Sequence, residues 1–172
     1  VQRKALQELL RFEGTGDLTF RRGEHHLSFR SGQRELICRI LEGTFPDYER
    51  VIAKDNESHA TFDRQKLGEA IRRVALLTGE RARSVRLSLR TEVLTISAAN
   101  PDLGEAVEEV PCAYAGPEIQ LGVNPDYLDQ FLSAFSSPSV RLELKDENSQ
   151  CLGIPVDGED KRYLCVIMPM RI

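Results

Sequence analysis

The feature that most limits the possible folds is an internal repeat. Leu6, Leu67 and Leu128 recur at a spacing of 61 residues (67 − 6 and 128 − 67). The same offset carries Leu9 to Ala70 and Phe131, and Leu10 to Ile71 and Leu132. Three apolar columns in one register imply three copies of one structural unit. Each set falls in a segment with i, i+3, i+4 apolar spacing: RKALQELLRF, DRQKLGEAIRRVALL and NPDYLDQFLSAF. That spacing predicts three amphipathic helices. Their inward faces would be Leu6, Leu9 and Leu10; then Leu67, Ala70, Ile71 and Val74; then Leu128, Phe131, Leu132 and Phe135.

Short strand candidates follow each helix: DLTFRR, HHLSFR and ELICRIL; then SVRLSLR, VLTISA and EAVEEVPC; then SVRLELK, CLGIPV and YLCVIMP. Val85, Leu87 and Leu89 alternate with polar residues, as do Val140, Leu142 and Leu144, which is the period of a half-buried strand. The separators GEHH, NPDLG, DENS and DGED are rich in turn formers. Units two and three also carry a strand candidate before the helix, HATF at 59–62 and IQLGV at 119–123. By the repeat offset, Val1 corresponds to Phe62 and Val123, so the chain is expected to be a fragment that starts at the last residue of its own first strand. The repeat is therefore βαβββ and the expected class is α+β. Units two and three are expected to pair into one domain, residues 53–172, with 1–52 as the second half of another.

Apolar residues make up 41% of the chain and charged residues 29%, an ordinary globular balance. No run approaches the roughly 18 apolar residues of a membrane span, and the N-terminus lacks the pattern of a signal peptide. Cys38, Cys112, Cys151 and Cys165 form no CxxC pair and have no histidine at ligand spacing, so they read as buried, reduced thiols of a cytoplasmic protein. His25 and His26 lie in a turn without a companion cluster and read as a surface pair. None of the glycine-rich phosphate loops, nucleophile elbows or zinc-helix motifs is present, which points to a non-enzyme with no metal and no cofactor.

The net charge is −4, so nucleic-acid binding would need a local basic patch on an acidic body. The helix wheels offer one. Lys4, Gln7, Glu8 and Arg11 lie opposite the apolar stripe of the first helix, with Arg3 at its boundary. Gln65, Gly68, Glu69 and Arg72 lie opposite that of the second, with Arg64 and Lys66 nearby. Arg3 and Arg64 share a register, as do Arg11 and Arg72, whereas Asp126 and Asp129 break the pattern in the third helix. Such a surface could meet phosphate by charge alone, or it could simply be a solvated helix face.

Two stretches carry a family resemblance: LEGTFPDYERVI at 41–52 and the terminal VIMPMRI at 166–172. Together with SVRLSL, AANPD and GVNPDYL, they resemble the bacterial DNA polymerase III beta subunit, the DNA sliding clamp. The resemblance runs along the whole chain and covers the end of a middle domain and a complete third domain. It implies a head-to-tail homodimeric ring of three-domain protomers, each domain made of two βαβββ units, with helices lining a hole around duplex DNA. The implied role is a processivity factor, a non-catalytic subunit of the polymerase. By resemblance Arg3 and Lys4 face DNA; Arg11, Arg64 and Arg72 follow from helix register.

The resemblance also implies a hydrophobic cleft for short linear motifs of the replicative polymerase, the clamp loader and repair polymerases. Its residues would be Pro46, Arg50 and Val51; Asn124 and Tyr127; and Val166, Ile167, Met168, Pro169, Met170, Arg171 and Ile172. Methionine is flexible and polarisable, which suits one site to several ligands. Leu76 and Leu77, with Glu105, Glu108 and Glu109, would match the ring interface. Ala82 stands where some clamps carry Phe, Ala53 where proline is frequent, and the strand forming the other cleft wall lies upstream of residue 1. A stand-alone peptide-binding module that does not encircle DNA, and a hydrolase or nuclease without a recognisable motif, remain the other readings.

Overall fold

Three amphipathic segments become three helices, two of which start on a side-chain cap. A computed structural model describes residues 1–12, 16–79, 83–157 and 163–171. Ala82 and Ile172 lie outside the described residues. The chain divides into two compact units, Val1–Pro46 and Asp47–Ile172.

In the first unit, α1 (Arg3–Leu9) runs into a 3₁₀ turn at Leu10–Phe12. Three antiparallel strands follow, β1 (Thr19–Arg22), β2 (His26–Ser31) and β3 (Arg34–Arg39), in that spatial order. Gly32 takes a φ of +57° in the turn between β2 and β3, a conformation that glycine adopts without strain. Arg34 Nη1 donates to the Arg11 carbonyl at 3.0 Å and so closes the 3₁₀ turn. Ala5 and Leu27 are buried. The expected apolar stripe is only partly covered: Leu9 is half-buried, but Leu6 is 50% and Leu10 71% exposed. One short helix on a three-stranded sheet has too little facing surface to cover all three.

The second unit opens with a 3₁₀ turn at Tyr48–Arg50 and then contains two full βαβββ units. The first is β4 (Ser58–Asp63), α2 (Arg64–Ala75), β5 (Val85–Arg90), β6 (Val93–Asn100) and β7 (Gly104–Pro111). The other is β8 (Ile119–Val123), α3 (Pro125–Ser133), β9 (Ser139–Leu144), β10 (Cys151–Pro155) and β11 (Cys165–Ile167). Asp63 caps α2 by accepting from the Lys66 N–H at 2.9 Å. Asn124 caps α3 through the Asp126 N–H at 2.9 Å, and Pro125 opens the helix where no N–H is needed.

The two halves exchange their first strands. One sheet has the order β11-β10-β9-β4 and the other β7-β6-β5-β8, so β4 completes the sheet of the later half and β8 that of the earlier one. Two single bridges tie the sheets together at matching corners: Thr61 to Ala113, and Gly122 to Met170. Between the sheets and the helices lies one apolar core, in which Leu67, Ile71, Val74, Leu128 and Leu132 meet the inward strand residues Val85, Leu87 and Val140.

Gly68, expected on the outer face of α2, is buried. A Cβ built there would lie 3.7 Å from Leu132 Cδ1, which places Gly68 at the contact between α2 and α3. A methyl group there would make only ordinary van der Waals contact, so Gly68 is buried by its position between the helices.

Candidate functional site

The last residues of the chain are held in place from both sides. In the ladder of β10 and β11, Cys151 pairs with Ile167, Leu152 with Val166 and Gly153 with Cys165. Beyond it, the Met170 N–H donates to the Gly122 carbonyl of β8 at 2.8 Å. Pro169 lies between these anchors and has no N–H to satisfy. The tail thus crosses from one sheet to the other, and its two sides face different surroundings.

On one side lies an apolar groove of about 530 Å³ between α3 and β11. Tyr127, Gln130 and Phe131 form the helix wall, and Tyr163 with Cys165–Met168 forms the opposite one. Met168 is 60% and Tyr127 62% exposed, so both can reach a ligand. Ile167, by contrast, is buried and serves the core as much as the groove. Phe131 and Tyr163 stack with their centroids 6.0 Å apart and planes 9° from parallel. Burial pushes up the Cys165 thiol and drives Cys151 to about 12, so both stay protonated at neutral pH.

On the other side of the tail is a more polar cleft of about 640 Å³, with Arg86, Gln120, Glu147, Pro169, Met170 and Arg171 among its lining. The expected cleft residues therefore separate. Val166, Ile167, Met168 and Tyr127 gather at the apolar groove, while Pro169, Met170 and Arg171 line the polar one. Asn124 is occupied in capping α3. Arg50 pairs with Asp47 at 2.9 Å, and the exposed Val51 offers its carbonyl to Gln150 Nε2; neither lines the groove. Pro46 belongs to the first unit. Gln130, Phe131, Tyr163 and Cys165 also line the groove, and nothing in their sequence pattern marks them for it.

The basic positions also divide. Arg3 and Lys4 are exposed on α1 and make no hydrogen bond or ion pair with any described residue. Arg11 grips both carboxylate oxygens of Glu8 at 3.1 Å. Arg72 donates to Asp129 Oδ1 at 2.7 Å, so an acid of α3 neutralises a cation of α2. Asp126 does the same for Arg83. The expectation of an outward-facing Arg64 is corrected. Its Nε donates to the Ser137 carbonyl at 2.8 Å, its Nη1 to the Leu132 carbonyl at 3.0 Å, and its guanidinium carbon lies 5.8 Å from the centre of the Phe135 ring. Arg64 therefore closes the C-terminal end of α3, where carbonyls lack helical partners.

At the expected ring interface, Leu76 is 78% exposed just past α2, and Leu77 is half-buried. Glu105 and Glu109 are exposed on β7, the edge strand of its sheet. Glu108 faces the other way, gripped by the Arg73 fork, whose hydrogen bonds hold its carboxyl below the usual range. Glu108 is thus removed from the acidic strip by an internal partner.

Among the described residues, no cluster of three or more His, Cys, Asp or Glu could hold a metal ion. Among the same residues, no helix is long and apolar enough to cross a membrane. The sequence profile described as "DNA polymerase III beta subunit, C-terminal domain" matches residues 49–171. The chain belongs to this beta subunit family. The beta sliding clamp of Pseudomonas aeruginosa is 38% identical over 174 residues, which is 100% of this chain and 47% of the relative. Its counterpart in Escherichia coli K12 is 33% identical over the same share of each chain. A crystal structure of the P. aeruginosa clamp bound to griselimycin superposes with a TM-score of 0.84 at 37% identity, covering all of this chain and 47% of that one. The chain spans about half the length of the beta subunits it matches, and its α+β architecture is that of the clamp fold.

Proposed function

We propose that this chain is the C-terminal portion of a sliding clamp, a non-catalytic processivity factor. It tethers the replicative polymerase, the clamp loader and repair polymerases to duplex DNA by binding a short linear motif of each. The observation that carries this reading is the apolar groove between α3 and β11, with Met168 and Tyr127 exposed at its rim. A linear segment can bury apolar side chains there against Phe131, Val166 and Met168, and the unbranched methionine can repack for different occupants.

In this reading, α1 meets the phosphate backbone through Arg3 and Lys4. Charge contacts of this kind carry no base information, so moving along the duplex changes their energy little. Ring closure by a second subunit would cover the edge of β7, with Leu76, Leu77, Glu105 and Glu109 in the contact. The homodimer and its bacterial cytoplasmic setting are part of the same proposal.

Griselimycin, bound by the P. aeruginosa clamp and by that of Bartonella birtlesii, is a suitable probe. Calorimetric titration of this chain should give saturable binding that Met168→Asp and Tyr127→Ala each weaken by about tenfold or more, since removing one well-packed apolar group costs roughly 1–3 kcal/mol. Absent binding, or binding indifferent to Met168→Asp, would refute the groove as the docking site.

A further inference from the structure

Gly153 stands in the interior of β10, where a glycine weakens a strand unless something needs its missing side chain. Its backbone gives no reason for it: among the described residues the glycines with left-handed φ are Gly16, Gly32, Gly43 and Gly104. The reason is a ring. A Cβ built on Gly153 would lie 2.5 Å from Cε1 and 2.7 Å from Cζ of Phe131, closer than real Cβ contacts come. Phe131 is buried, stacks on Tyr163, and lies tilted against Phe135 at 5.1 Å between centroids. A ring pushed off β10 would press on Tyr163 and rise into the groove that both rings line.

We infer that Gly153 is a specificity-determining residue of the groove, although it is absent from the groove wall itself. The missing side chain lets the Phe131 ring settle against the sheet. The space above that ring then admits a bulky apolar side chain of a peptide ligand, which lies on the flat Phe131–Tyr163 floor. A side chain at 153 would raise the floor and select smaller occupants. This inference rests on the docking reading given above.

The test is a pair of variants titrated with griselimycin, with thermal melts recorded alongside. Gly153→Val should weaken binding by about tenfold, since overpacking a close-packed site costs roughly 1–3 kcal/mol. Gly153→Ala, which adds the clashing Cβ alone, should fall between the parent and Gly153→Val in affinity. The inference is overturned if Gly153→Val folds and binds like the parent, or if Gly153→Ala binds more weakly than Gly153→Val. Should Gly153→Val fail to fold, Gly153→Ala must itself bind more weakly than the parent, and equal binding overturns the inference. A parent chain that does not bind griselimycin refutes the docking reading and this inference with it; a parent that binds, with variants that do not differ, refutes this inference alone.

Discussion

Arg64 separates two roles that look alike in a helix wheel. If it closes the end of α3, its loss destabilises the fold; if it is a free cation for phosphate, its loss weakens only DNA binding. Arg64→Ala removes two hydrogen bonds from a charged donor, to the Ser137 and Leu132 carbonyls, and a cation–π interaction with Phe135. Bonds to charged groups contribute roughly 1.5–3 kcal/mol each and the ring interaction about 0.5–1. Arg64 is half-buried, so water reaches the vacated carbonyls in part, and the sum falls to about 2–4 kcal/mol. At roughly 2–8 °C per kcal/mol for domains of this size range, calorimetry should record a Tm lower by about 10 °C. Arg64→Lys, which keeps the charge but not the planar fork, should recover only part of the loss. A Tm within about 2 °C of the parent, together with weakened binding to duplex DNA, would refute this assignment.

Two further perturbations test the remaining charges. The Arg73 hydrogen bonds depress the Glu108 carboxyl below its ordinary 4.5, so the folded chain binds that proton less tightly than the unfolded one. The stabilisation is fully present above about pH 4.5 and is lost as pH falls through the depressed value. Melts of Glu108→Gln should therefore lie below the parent at neutral pH and converge with it in acid; a constant gap would contradict the pairing. Arg3→Gln with Lys4→Gln should weaken duplex binding and flatten the dependence of log K on log salt by roughly 0.9 for each phosphate no longer neutralised. An unchanged slope would remove α1 from the DNA-facing surface.

The repeat was legible because apolar spacing is local: the columns beginning at Leu67 and Leu128 became the core faces of α2 and α3. The exchange of β4 and β8 was not, because alternation marks a strand without naming its neighbour. Gly68 has no apolar side chain to mark it as inward, yet it lies buried at the contact between α2 and α3. A helix wheel leaves Arg64 free because it cannot show that a long side chain reaches a carbonyl of another helix. The groove was half legible. The methionines of the tail mark a ligand surface, whereas Phe131 fits the core stripe of α3 and its spacing does not distinguish a groove residue. Leu6 and Leu10 show the converse: the pattern marks a face that the described residues do not fully cover.

The strand exchange also governs how residues 47–172 can come into being. β4 is the first strand of that unit to leave the ribosome, yet its ladder partner β9 is made only after α3. Until then its edge can find only the corner bridge from Thr61 to Ala113. The nascent chain must therefore carry β4 unpaired, with Ala60 and Phe62 uncovered, through most of the unit's synthesis. A cut between β7 and β8 would leave each piece without the strand that the other holds.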